Sequence, residues 1–355
     1  MRTTFLILLI LAVFRVTAQE TDAERAAHLA DSAQILADSG NFDDAVKVWE
    51  QAADLDAFKF TEYRSRIAQM YYKQNQFGKT NKVMKKLLNR NDMEESHYLL
   101  TARSLYKVDD LKKSNEVLKI AQQKFPSSGE ILYELGFVEM RQQKFRNATI
   151  YWEMGIKAQP TCASNYYGFA RLYSNSPERL WSVFFGEIFL NIEREGTRFE
   201  EISKILFETY QNGFKKGFAQ ASSVNLPQTN EEIQLPFTLE FEKQMFAASD
   251  KYLKETVELD IALLIKIRRS FLERWEGKEL HEKFPNQVID FMLQLKDSGN
   301  WDAYNYWLFQ FGKSDEFATW KGVNEDSFTE FTDWIESAHY EPDANNLFLR
   351  STYVR

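Results

Sequence analysis

The sequence predicts an all-α protein: a stack of helix–turn–helix repeats with a degenerate capping pair, followed by a helical C-terminal region. Three observations predict it. Only 14 Gly and 7 Pro punctuate 355 residues, too few for a loop-rich β protein, and Ala, Leu, Glu, Lys, Gln and aromatics dominate. Small residues recur at a step of 34 (Ala68, Ala102, Gly136, Ala170). A turn-forming Asp-Ser-Gly-Asn cluster lies between helix-forming stretches in LADSGNFDDA (36–45) and again in LKDSGNWDAY (295–304).

The N-terminal stretch MRTTFLILLILAVFRVTAQE has a basic Arg2, an apolar run from Phe5 to Phe14, and small residues at Val16-Thr17-Ala18. That is the layout of a secretory signal peptide over residues 1–18. The run is about half of what a membrane-spanning helix needs. An uncleaved anchor is the alternative, and Arg15 is the feature that favours it. Gln19 follows the expected cleavage point, so a lipidated cysteine is impossible there. Removing the segment takes away two arginines and no acid, making a chain of net charge −8 more negative still. An acidic surface argues against general nucleic-acid binding. Cys162 is the only cysteine, so the fold holds by packing without an internal disulfide. A lone cysteine reads as a small buried residue, a reactive thiol being the alternative.

Several independent columns agree on the period. Phe77, Leu111 and Phe145 are 34 apart, as are Thr80, Ser114 and Ala148, and Pro126 and Pro160. Ala33, Phe42 and Ala45 fit one unit earlier, with one extra residue in the gap. In each unit a small residue (Ala33, Ala68, Ala102, Gly136) lets the first helix approach its partner. Leu36, Tyr71 and Leu105 fill the layer beside it, and Glu139 breaks that column. A short turn follows (SGNF, NQF, DDL, QKF). The second helix then pairs a small residue (Ala45, Thr80, Ser114, Ala148) with a large one four positions on (Trp49, Met84, Leu118, Trp152). Pro126 and Pro160 stop the second helix.

A helix–turn–helix unit with this period and pattern resembles the tetratricopeptide repeat (TPR). The best match is Leu132, Leu135, Gly136, Ala148, Trp152, Gly155 and Pro160, and the resemblance covers residues 22–160. A fifth unit starts at Tyr166, and its longer, more hydrophobic second half (SPERLWSVFFGEIFLNIERE) looks like a capping helix, with Ser176 as N-cap and Pro177 in the first turn. The layout also resembles secreted tetratricopeptide proteins of the Bacteroidetes that carry a similar GEIFLNIE segment, a helical tail and no assigned function. The resemblance implies a superhelix of about four repeats plus the capping pair, spanning residues 22–217.

Residues 200–217 continue as an amphipathic helix, and 218–237, polar with two prolines, read as a linker or long loop. Helical spacing returns over 238–280, with shorter helices expected over 286–298, 301–312, 314–321 and 326–337. Residues 238–355 thus form an all-α C-terminal domain, separate or packed onto the array. In the second Asp-Ser-Gly-Asn turn Trp301 takes the place of Phe42, and Tyr304 stands where the repeat wants a small residue.

No catalytic signature rises above background: there is no Gly-rich phosphate loop and no GxSxG. His281 opens HEKFP, which lacks the second histidine of a zinc helix and carries Pro285 where a helix must continue. The acid pairs Glu193 with Glu195 and Glu200 with Glu201 read as solvated helix-surface charge. No cofactor and no metal is expected. Binding is better supported. In tetratricopeptide arrays the first helices line a concave groove. Counting from the small residue of each unit, that face holds Gln69, Tyr72, Lys73, Arg103, Tyr106, Lys107, Tyr133, Phe137, Arg141, Tyr167 and Arg171. Aromatics with Arg are the residue types that carry interface energy, and Arg grips carboxylates. The implied ligand is a peptide bearing Asp, Glu or a C-terminal carboxylate; the alternative is that the aromatics pack between helices and the arginines are ordinary surface. The family's carboxylate clamp is not reproduced, since Ala30, Gln34 and Leu99 stand where it wants Lys, Asn and Lys, and only Arg103 and, loosely, Gln69 agree.

The expected function is that of an exported, non-catalytic protein–protein interaction scaffold, periplasmic or extracellular, that holds an envelope partner in the groove. Two other readings stay open. One is a carbohydrate or peptidoglycan binder using Trp275, Trp301, Trp307, Trp320 and Trp334, although Trp301 and Trp307 also suit a helical core. The other is an enzyme with its site in the C-terminal helices. Oligomeric state is not legible.

Overall fold

The computed structural model describes residues 20–218, 236–253, 258–337, 340–342, 344–345 and 347–353. The expected signal peptide, and all of the expected linker except Phe218, Pro236 and Phe237, lie outside them. Among the described residues there are nineteen helices and no strand, and no helix long and apolar enough to cross a membrane. The chain forms two compact units that meet in sequence at Asp109 and Asp110.

The first unit holds α1 (Asp22–Asp38), α2 (Phe42–Leu55), α3 (Phe60–Lys73), α4 (Phe77–Lys85) and α5 (Glu95–Lys107). Thr21 starts α1 with a capping box: its hydroxyl accepts from the Glu24 N–H while the Glu24 carboxylate accepts from the Thr21 N–H. The core is built from small residues around one indole: Ala26, Ala33, Ala45 and Ala52 are buried against Trp49, whose ring lies 5.6 Å from Tyr63. The buried positions fall on the repeat columns, Ala33, Ala68 and Ala102 on the first helices and Ala45 and Thr80 on the second.

The turns keep the same period. Gly40, Asn75, Asp109 and, in the second unit, Gln143 all adopt positive φ (81°, 59°, 62° and 60°) at one repeat position. Asn41 N–H donates to Leu36 O, Gln76 N–H to Tyr71 O and Lys144 N–H to Glu139 O, each about 2.8–2.9 Å, the bond that closes a helix through a left-handed residue. Gly299 repeats the positive φ at 83°, but in that turn the Asn300 N–H donates to the Ser298 hydroxyl at 3.3 Å.

The second unit contains α6 (Leu111–Lys124), α7 (Gly129–Arg141), α8 (Phe145–Ala158), α9 (Ala163–Ser174), α10 (Leu180–Ile192) and α11 (Thr197–Lys216). Then come α12 (Phe237–Ser249), α13 (Ile261–Gly277), α14 (Leu280–Lys283), α15 (Gln287–Asp297), α16 (Trp301–Leu308), α17 (Ser314–Val323), α18 (Glu325–Ser337) and α19 (Arg350–Tyr353). Trp152 is the hub of its repeat pair. A Cβ on Gly136 would collide with its indole, one on Gly168 would lie 2.6 Å from it, and its Nε1–H donates to Tyr133 O at 3.1 Å. Glu139, the break in the apolar column, is buried and satisfied: its carboxylate accepts from Asn115 and Asn147 side-chain amides at 3.1 and 3.0 Å.

Two expectations need correction. The capping helix starts at Leu180, later than Ser176 and Pro177 suggest. The Ser176 hydroxyl caps only a turn, accepting from Glu178 N–H, while Leu180 N–H donates to Phe218 O at 2.9 Å, a partner from beyond the next helix. The helix expected over 301–312 ends at Leu308, and the chain then passes so close to α11 that a Cβ on Gly312 would collide with Phe207.

Every residue of α10 from Leu180 to Asn191 is buried, because other helices cover it all round. Trp181, Phe184 and Phe185 pack against Phe237, Phe241 and Phe348, and one hydrophobic core runs from Ala148 to Leu349 on both sides of residues 218–237. Within it Glu187 of α10 takes both carboxylate oxygens to Arg268 Nη2 of α13, each at 2.7 Å. Arg268 also donates to Asn305 Oδ1, and its guanidinium lies over the rings of Trp301, Phe309 and Tyr210 at 5.1, 5.3 and 5.6 Å. Tyr304 reaches the same carboxylate, donating to Glu187 Oε1 at 2.8 Å. That contact explains a large residue where the repeat wants a small one: Tyr304 packs edge-on against Phe291 of α15 at 6.0 Å and carries its hydroxyl on to Glu187 of α10.

Candidate functional site

The first-helix positions expected to face a groove fall in both units. In the first, Lys73 and Lys107 are exposed, and Tyr72, Arg103 and Tyr106 are half-buried. Tyr72 packs edge-on against Phe77 at 5.2 Å, and Lys73 lies 5.8 Å from the Phe42 ring. In the second, Arg141 is exposed, and Tyr133 and Phe137 are half-buried with their rings 6.3 Å apart, Tyr133 also stacking on Trp152. These residues therefore lend part of each ring to the helix packing and leave part in solvent.

On α9 the surface is already occupied. Tyr167 is buried, and its hydroxyl donates to Glu201 Oε2 of α11 at 2.5 Å. Arg171 Nε meets the other oxygen of that carboxylate at 3.0 Å. The guanidinium groups of Arg171 and Arg198 each lie 5.3 Å from the centre of the Tyr167 ring. Burial, and then the hydrogen bond to the Glu201 carboxylate, push the Tyr167 hydroxyl up to about 12, so it stays a donor. A carboxylate held by one hydroxyl and one guanidinium is a charge-assisted grip. Glu201 and Glu193, which the sequence presents as solvated surface charge, are both paired: Glu193 binds Arg198 through both oxygens. Nothing in the local pattern EEIS distinguishes Glu201 from its neighbour; only the packing of α11 on α9 does.

Arg198 also donates to Ser164 Oγ at 3.0 Å, and Ser164 donates to Glu130 Oε1 at 2.5 Å, beside Cys162. Burial first, and then the Glu130 charge, push the Cys162 thiol up to about 12, the opposite of nucleophile activation. Trp275, Trp301 and Trp307 are buried in the core, and Trp320 is half-buried, stacked on Tyr306 with centroids 4.3 Å apart. Trp334 is likewise half-buried, stacked on Phe291 at 6.2 Å, so three of the five tryptophans fill the core and the other two each have a second ring against them. The helix at His281 ends at Lys283, before Pro285. No group of three or more His, Cys, Asp or Glu side chains that could hold a metal ion occurs among the described residues.

No protein-family model matches the chain, and no curated protein matches it. Solved structures do, over about half of it. A crystal structure of MamA is 17% identical and covers 46% of this chain and 94% of that one, with a TM-score of 0.40. The structure of YrrB, a TPR protein with an unusual peptide-binding site, is 14% identical, covering 49% and 89%, with a TM-score of 0.38. The helix pairs here are of the tetratricopeptide type on their own geometry: hairpins at a 34-residue step, small residues at the crossings and a left-handed residue in each turn.

Proposed function

We propose that this chain is an exported, non-catalytic interaction scaffold that holds an acidic segment of a cell-envelope protein on the first-helix faces of its repeats. The observation that carries the reading is Glu201 on Tyr167 and Arg171: the aromatic–basic surface of α9 already grips a carboxylate within the chain. Phe137 and Arg141 are the same pair of residue types on α7, as are Tyr106 with Arg103 and Lys107 on α5, and each of these faces binds a carboxylate of the partner protein through that chemistry. Export rests on the composition of residues 1–18.

The test is capture from solubilised envelope by the chain lacking residues 1–18, beside two variants, Arg103→Ala/Lys107→Ala and Phe137→Ala/Arg141→Ala. A protein retained by the parent, lost by at least one variant and displaced by an acidic peptide supports the reading. Equal capture by all three sinks it. Export is tested separately, by the N-terminal sequence of the protein recovered from a periplasmic extract: an intact Met1 there overturns cleavage.

A further inference from the structure

The first unit contains a cavity of about 380 Å³ bordered by α2, α3 and α4. Phe60, Arg64 and Tyr71 of α3 form one side and Lys79, Lys82 and Lys86, on and just beyond α4, the other. At about 100° per residue the three α3 residues share an arc of about 40°, and Gln69, Tyr72 and Lys73 begin about 80° away. The cavity therefore lies on a different face of α3 from the surface considered above. The three lysines share an arc of about 60° on one side of their helix.

The charge of this cavity is unbalanced. Arg64 is matched by Glu50 at 3.7 Å and Asp54 at 3.6 Å and lies 5.3 Å over the Phe60 ring. The lysines are not matched: Lys79 rests 5.1 Å over the Tyr71 ring, and among the described residues no carboxylate comes within 4.0 Å of Lys79, Lys82 or Lys86. Like charges three and four residues apart on a helix repel. Lys79 also sits in the first turn of a nine-residue helix with no acid there, where the helix dipole disfavours a cation. Helix stability explains none of this arrangement at Lys79, and the chain as a whole is acidic at −8.

We infer that this cavity is a second binding site, independent of the first-helix faces, for an acidic helical peptide segment of a partner protein. Its aromatic floor, with Val83 and Leu87, takes one apolar side chain, and carboxylates spaced i, i+3 and i+7 around that side chain meet the three lysines. The volume suits one or two side chains of such a segment.

The experiment measures binding of a fluorescently labelled acidic 15-residue peptide, with Glu at that spacing about a central Phe, to the full chain lacking residues 1–18. A peptide with Gln for every Glu is the control. The acidic peptide binds, the control binds at least about tenfold more weakly, and added salt weakens the binding. Lys79→Ala/Lys82→Ala/Lys86→Ala lowers affinity about tenfold. All three side chains are exposed, so circular dichroism shows an unchanged fold. Lys82→Arg retains binding, and Phe137→Ala/Arg141→Ala leaves it unaltered. Absence of binding, or equal binding by the triple variant, overturns the site. Loss only in the Phe137/Arg141 variant assigns the peptide to the other surface and also overturns it. Full competition by inorganic phosphate identifies a small-anion pocket and overturns the peptide as occupant.

Discussion

At the scale of the residue, the clearest feature is the left-handed position that recurs in every repeat turn. Only the first repeat places glycine there; Asn75, Asp109 and Gln143 carry a Cβ into a conformation that disfavours one by about 1–2 kcal/mol. Gln143 gains least, having neither the short side chain of Asn nor that of Asp to bond locally. Gln143→Gly is expected to raise stability by about 0.5–1 kcal/mol, the strain relief less the added freedom of the unfolded chain. Gly40→Ala is expected to lower it by a similar amount. Urea denaturation of both variants checks this, and a Gln143→Gly midpoint at or below the parent's refutes it. The turn at residue 40 is legible in the sequence from DSGN, but its left-handed residue and those at 75, 109 and 143 are seen only in the structure.

At the scale of the element, α10 is held by a charge that its sequence does not advertise. Glu187 lies in the run FFGEIFLNI, where a helix-surface reading would leave it in solvent; instead Arg268 of α13 meets it with both side chains buried. Removing one partner of such a pair strands the other, which costs about 3–5 kcal/mol. Arg268→Met alone is expected to lose that much in chemical denaturation, and Arg268→Met/Glu187→Leu to recover a substantial part of it. A double variant worse than the single would show that Tyr304, whose hydroxyl donates to Glu187 Oε1, depends on the carboxylate more than the arginine does. On α5, His97 is buried, with Nδ1 accepting the Glu94 N–H at 3.0 Å, and burial holds its pKa below the usual histidine value. The unfolded chain therefore takes up a proton at about 6.5 that the folded chain refuses. His97 contributes stability that is present above that pH and lost as pH falls through the folded value. The drop in midpoint between pH 7 and pH 5 is expected to be smaller in His97→Gln, and an identical drop would remove His97 as its source.

At the scale of the whole molecule, the second unit depends on chain from both sides of residues 218–237. Arg350 binds Glu178 at 2.8 and 3.0 Å, Phe348 packs on Trp181 at 6.0 Å, and Phe237 and Phe241 of α12 pack on Trp181 and Phe184 of α10. A chain ending at Gly217 leaves Trp181, Phe184 and Phe185 without these partners. It is expected to expose an apolar patch, bind a hydrophobic dye and associate in size-exclusion chromatography. A monomeric, dye-negative fragment with the parent's melting temperature would show that the repeats close without the C-terminal helices.

The all-helical class, the 34-residue hairpin and the small-against-large columns are legible in the residues, because they follow from nearest-neighbour helix packing that repeats along the chain. So are the helix stops at Pro126 and Pro160, which act locally through a missing N–H; α6 ends at Lys124 and α8 at Ala158. Packing between distant helices set the start of α10, the tie of Tyr304 and Arg268 to Glu187, the seat of Glu201 on α9 and the lysine-lined cavity of the first unit. Each of these joins residues whose positions carry no shared period. Whether a charge is solvated, paired or left facing a cavity depends on which distant helix packs against it, and that is settled by the core as a whole.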